Sequence, residues 1–126
     1  YHTSAVLACG LMAGLVGLAA DMWRQMGKTR EEAVAALSPL VLETAVQLRD
    51  RGLPDALTGP YVRGDVETVA KHLEAVSSQG DDVSRAYASL ALAALPLGGE
   101  QGALSESART EIESMLRDAI ESSRAG

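Results

Sequence analysis

The sequence has no phenylalanine, and aromatic residues make up only 3% of it. A core without aromatics has to be assembled from Leu, Val, Ala and Met, which favours packed helices over a sandwich of sheets. Cysteine is as scarce. The single Cys9 cannot close an internal disulfide, and with only His2 and His72 far apart in the chain it does not compose a zinc site. Basic residues are few as well: eleven Lys and Arg stand against seventeen Asp and Glu, a net charge of −6. That sign is wrong for gripping a phosphate backbone, so nucleic acid is not an expected partner. Also missing are alternating strand patterns, an internal repeat and any low-complexity tract. No phosphate loop ending in Gly-Lys-Ser and no nucleophile elbow occurs, so the chain alone is not expected to bind nucleotides.

What remains is a 126-residue chain with 47% apolar and 22% charged residues. That is enough for one helical domain spanning residues 1–126, of all-α class. The apolar run begins within four residues of Tyr1 and no basic leader precedes it, so no signal peptide is expected. The chain reads as a piece of something longer, and a cytoplasmic location is expected. The uncharged run from Ala5 to Ala20 falls short of the roughly 18–20 residues a membrane span needs, and no membrane attachment is expected.

On a helical wheel, Leu7, Leu11, Leu15, Leu18 and Met22 form one stripe of the first helix, and Gly10, Gly14 and Gly17 lie beside it. The other positions are mainly Ala, Val, Cys and Met, so this helix lacks a wet face and is expected to be buried all round. Cys9 then reads as a small core residue. Each interior glycine costs about 1 kcal/mol of helix propensity relative to Ala, which is tolerable where another backbone approaches closely. Two sources of cover are open: the chain's own helices, or a second subunit or neighbouring domain.

Gly27 reads as the stop of the first helix, and Thr29 to Glu32 as a capping box that starts the next. Ser38-Pro39 reads as a restart, after which Val41, Thr44, Ala45 and Leu48 face inward until Gly52. An irregular loop follows from Leu53 to Asp65, with one possible helical turn at Pro54 to Leu57. Asp65 caps a helix whose apolar face is Val66, Val69, Ala70, Leu73 and Val76. A further helix carries Val83, Tyr87, Leu90, Ala91 and Ala94 and is expected to break at Pro96 and Gly98-Gly99, with Gly98 to Ala103 a flexible connection. Ser105 caps the last helix, which turns Ile112, Met115, Leu116, Ala119 and Ile120 inward and pairs Glu113 with Arg117. Its tail from Ser122 to Gly126 is expected to fray.

The candidate chemistry lies in Leu57-Thr58-Gly59-Pro60-Tyr61-Val62-Arg63-Gly64-Asp65, with Thr68 and His72 on the helix that follows. Asp65, Thr68 and His72, spaced three and four, form a polar stripe at the edge of the buried face. Arg63 beside a helix N-terminus suits an anionic group such as a carboxylate. The plainer reading makes Asp65 a cap, Arg63 a surface ion-pair partner and His72 a boundary histidine bonded to a carbonyl. His2 could act as an acid or base near neutral pH, or be no more than a loosely ordered terminal residue.

Tyr1-His2 opening a Gly- and Ala-rich helix, Ser38-Pro39-Leu40, and the run from Leu57-Thr58-Gly59-Pro60 through Arg63-Gly64-Asp65 and Thr68 to His72-Leu73 together form a recognisable pattern. Over about Tyr1 to Leu95 the chain resembles the helical C-terminal domain of unknown function that follows a Rossmann-like domain in many prokaryotic proteins. That domain is similar to the C-terminal domains of 6-phosphogluconate dehydrogenase, ketopantoate reductase and pyrroline-5-carboxylate reductase.

The resemblance implies a two-domain NAD(P)-dependent oxidoreductase whose absent N-terminal domain holds the nicotinamide. The helical domain would supply a substrate wall and a homodimer contact through the first helix. It further implies that His2 donates a proton to a carbonyl or imine substrate. Thr58, Arg63, Asp65, Thr68 and His72 would line the substrate side, with Arg63 on a carboxylate. The lysine and glutamate pair of a ketopantoate reductase is not recognisable here. The same features also fit a helical interaction module without redox chemistry.

Overall fold

A computed structural model describes residues 1–125, and every described element is helical. α1 (His2–Ala5) passes through a π turn (Val6–Gly10) into α2 (Leu11–Met22) and a 3₁₀ turn (Trp23–Met26). α3 is Arg30–Arg51, α4 Pro60–Arg63, α5 Val66–Ser77, α6 Asp81–Glu100 and α7 Glu106–Ala125. The all-α class is therefore what the chain adopts. It divides into two compact units, Tyr1–Gln47 and Leu48–Gly126.

In the first unit the local signals act as expected. Gly27 takes the left-handed conformation at φ 75° and ends the first helix. The capping box at Thr29 closes in both directions: the Glu32 carboxylate accepts from the Thr29 N–H at 2.8 Å, and the Thr29 hydroxyl accepts from the Glu32 N–H at 3.1 Å. The restart at Ser38-Pro39 does not occur, because α3 runs through Pro39 without a break. Ser38 turns its hydroxyl back to donate to the Val34 carbonyl at 2.6 Å, so it is held inside the helix and caps nothing.

Burial differs from expectation more sharply. Ala20 and Ala33 are the buried residues of this unit. Leu7 is 68% exposed, Leu11 54% and Leu15 40%, and Cys9 is exposed too. The expected inward face of α3 is also open, with Thr44, Ala45 and Leu48 exposed and Val41 only half-buried. The physical reason is one of supply: a helix apolar all round needs neighbours on every side, and the first unit by itself does not provide them. The continuous helix His2–Met26 is 25 residues long, because it extends past both ends of the uncharged run. It is long and apolar enough to cross a membrane, so the length argument against a span does not hold.

The second unit holds the core. α5, α6 and α7 enclose Val69, Ala88, Ala91, Leu95, Ile112 and Leu116, and α4 adds Tyr61. Val69, Ala88, Ile112 and Leu116 are fully buried, in keeping with their place on the apolar faces of amphipathic helices. Ala70, in contrast, is exposed. Ser105 caps α7 by accepting from the Ala108 N–H at 3.1 Å, and Glu113 pairs with Arg117 at 3.0 Å.

α6 is unbroken through Pro96 and Gly98-Gly99 and ends at Glu100, so the expected break and the start of the flexible connection are both replaced by helix. Gly98 is helical because of what lies against it. A Cβ there would stand 2.0 Å from the Tyr61 carbonyl oxygen, so only glycine lets the backbone of α4 reach α6. The irregular stretch before α4 is anchored to the end of the same helix, since the Gln101 amide donates to the carbonyls of Pro54 at 2.7 Å and Leu57 at 2.9 Å. The expected fraying of the tail is not seen through Arg124. Ser123 is buried, its hydroxyl donates to Ile120, and its carbonyl accepts from Arg85 at 3.2 Å. Gly126 lies outside the described residues.

Candidate functional site

The sequence candidates fall in both units. His2 is exposed at the start of α1 in the first unit. Thr58 and Arg63 are exposed in the second, Arg63 as the last residue of α4. Asp65 and Thr68 are brought together and occupy one another: one Asp65 oxygen accepts from the Thr68 N–H at 3.1 Å and the other from its hydroxyl at 2.7 Å. The capping role of Asp65 is thus what the geometry shows. Hydrogen bonds from the Thr68 hydroxyl and then from its N–H hold the Asp65 carboxyl below its ordinary range, with Arg63 and Lys71 adding favourable charge.

A pH dependence follows from that shift. A carboxyl whose folded pKa is depressed contributes stability that is fully present above its unfolded pKa, about 4, and lost as the pH falls through the lower folded value. Asp65→Asn retains a capping oxygen without the charge. We therefore expect urea midpoints between about pH 2 and pH 5 to fall less steeply for Asp65→Asn than for the wild type. Parallel profiles would mean that the charged form of Asp65 adds nothing to the cap.

His72 is not bonded to a backbone carbonyl, as the plainer reading had it. Its Nδ1 lies 2.8 Å from the Tyr87 hydroxyl, and the Tyr61 hydroxyl donates in turn to that of Tyr87. The rings are arranged to match. His72 meets Tyr87 edge to face at 5.9 Å and 88°, and Tyr61 meets Tyr87 at 6.4 Å and 54°. The polar chain thus runs from Tyr61, buried on α4, through half-buried Tyr87 on α6, to exposed His72 on α5. Burial, and then the hydrogen bond donated to Tyr87, push the Tyr61 phenol well above the ordinary phenol range. Burial raises Tyr87 as well, opposed by the bond it receives. Both tyrosines are therefore neutral at any ordinary pH.

Periodicity puts Tyr87 on an apolar face and the irregular stretch holds Tyr61, and neither signal joins the two. The available signal was compositional: in a chain with three tyrosines, two of them packed inside need partners for their hydroxyls. A shallow groove along α7, lined by Glu106, Thr110, Glu111 and Met115 among others, contains none of the candidates. Its carboxylates would repel an anionic ligand. No grouping of three or more His, Cys, Asp or Glu side chains suited to a metal ion occurs among the described residues.

These features define an all-α chain with an apolar first helix left open and a histidine seated on a tyrosine pair. It belongs to the family described as Domain of unknown function (DUF2520), whose model matches residues 1–94. No curated protein and no solved structure matches the chain. The family span closely follows the resemblance drawn from the motifs and leaves the end of α6 and all of α7 outside it.

Proposed function

We propose that this chain is the substrate-binding and dimerisation domain of an NAD(P)-dependent oxidoreductase, acting on a small carbonyl or imine compound that carries a carboxylate. The observation that carries the assembly part is the open apolar surface of the first unit. Val6, Leu7, Leu11, Met12 and Leu15 are all substantially exposed on one helix, and the unit has two alanines for a core. Apolar surface of that extent is unfavourable in water and is stabilised when a second surface covers it, at about 25 cal/mol per Å² removed from solvent. A second copy of the chain is the cover this reading assigns.

The substrate part is supported by the second unit, where exposed Thr58, Arg63 and His72 offer a hydroxyl, a cation and an imidazole. Asp65 and Thr68 fix the start of α5, the helix that carries His72. His2 keeps its proposed role as proton donor at the junction with a preceding domain. Among the described residues there is no strand and no glycine-rich turn from strand to helix, so this chain's own residues do not fit a dinucleotide. The nicotinamide belongs, in this reading, to the Rossmann-like domain ahead of the helical one. Kinship with the C-terminal domains of 6-phosphogluconate dehydrogenase, ketopantoate reductase and pyrroline-5-carboxylate reductase is part of the same proposal, as is a cytoplasmic location.

A partner-binding helical module is the second reading, because the same apolar surface would serve it. Light scattering over a dilution series in detergent-free buffer tests the assembly. We expect a dimer that resists dilution. A stable monomer would overturn the dimerisation half, and solubility only in detergent would assign the His2–Met26 helix to a membrane instead.

A further inference from the structure

We propose that His72 is a preset hydrogen-bond donor to a carbonyl or carboxylate oxygen of the ligand, with Tyr87 and Tyr61 as the positioning residues that fix which of its nitrogens carries the proton. The inference rests on the substrate-binding reading above and names the atom that reads the substrate.

The direction of the hydrogen-bond chain follows from burial. Tyr61 lies in the core, and a phenol hydrogen there needs an acceptor inside the protein. The Tyr87 oxygen is that acceptor. Tyr87, having accepted from Tyr61, directs its own hydrogen to the imidazole nitrogen 2.8 Å away, which is Nδ1 of His72. A neutral imidazole has one donor and one acceptor nitrogen, so Nδ1 as acceptor leaves the hydrogen on Nε2. Among the described residues Nε2 has no hydrogen-bond partner, and His72 is exposed.

Rotation of the ring is restrained at the same time. The edge-to-face packing on Tyr87 and the bond to Nδ1 act on one side of the imidazole, so its opposite edge presents the Nε2–H. Both tyrosines stay neutral, so the chain does not reverse by losing a proton. A donor held in this way suits an oxygen acceptor. The exposed Arg63 ends the short helix that carries Tyr61, and the substrate-binding reading, which sets Arg63 on a carboxylate, makes an anionic oxygen compound the class to test.

The test is nitrogen-15 NMR of the imidazole in the full chain at about pH 8, followed by titration with pyruvate as the probe. In the wild type we expect a single tautomer with the hydrogen on Nε2 and Nδ1 shifted as an acceptor, and a saturable movement of the Nε2 signal as pyruvate is added. Tyr87→Phe should convert the imidazole to a mixture of both tautomers and weaken the pyruvate response by about twofold, because only the share with the hydrogen on Nε2 donates. Tyr61→Phe should move the tautomer balance in the same direction by less.

A tautomer mixture in the wild type would overturn the proposal without any variant having to fold, and would leave the wider functional reading standing. A single tautomer that pyruvate does not move at tens of millimolar would also overturn it, as would a response unchanged in folded Tyr87→Phe.

Discussion

Replacing Gly98 with alanine should unfold the second unit far more readily, with a loss of about 3 kcal/mol and a urea midpoint lower by about 1–3 M. The sign is informative because the local effect runs the other way. In an open helix interior, alanine is favoured over glycine by about 1 kcal/mol. At Gly98 the added Cβ would meet the Tyr61 carbonyl oxygen at 2.0 Å and its carbon at 2.8 Å, both backbone atoms that cannot rotate away. α4 would have to lift from α6, taking Tyr61 out of the core and its hydroxyl away from Tyr87. The tautomer of His72 should therefore change with the stability in this variant. A Gly98→Ala protein as stable as the wild type would show that α4 does not press on α6 as described.

If the chain pairs through its first helix as proposed, Leu11→Asp should raise the dissociation constant of that dimer by at least about 100-fold, or about 2.7 kcal/mol, while leaving the second unit folded. Leu11 is 54% exposed in the single chain, so a carboxylate there costs the isolated subunit little, and a carboxylate buried without a partner costs a great deal. Light scattering for mass and circular dichroism for helix content separate the two effects. Gly14 gives a complementary probe. Among the described residues of the first unit a Cβ at Gly14 or Gly17 would meet nothing within 4 Å, so packing inside that unit does not call for glycine there. Gly14→Ala should stabilise an isolated helix by up to about 1 kcal/mol, yet weaken the dimer if a second backbone crosses at that point. Unchanged association in both variants would move the interface elsewhere.

Much of the fold was legible because its signals are local. The Thr29 to Glu32 capping box, the Gly27 stop, the Asp65 and Ser105 caps and the Glu113–Arg117 pair depend on residues no more than four apart, and each is present. Prolines misled for the opposite reason. Pro39 and Pro96 predict breaks by local rules, whereas both helices continue through them. At Gly98 tertiary contact selects the residue: the Tyr61 carbonyl comes from more than thirty positions away and leaves no mark in the nearby sequence.

The candidate site divides in the same way. Asp65 and Thr68, one turn apart, could be paired from spacing, and the capping use of Asp65 is the one observed. The partner of His72 could not, since Tyr87 is fifteen residues away on another helix and Tyr61 lies before both. Periodicity gave Tyr87 an inward position but could not say what its hydroxyl would meet.

The residue pattern alone determined an all-α chain, the caps that start its helices and the apolar character of the first of them, because helix formation and capping are set within a turn or two of backbone. Only the tertiary structure decided which apolar faces are covered, that Gly98 admits the α4 backbone, and that Tyr61 and Tyr87 converge on His72. Those outcomes depend on the number and placement of neighbouring helices, and no local rule contains that information.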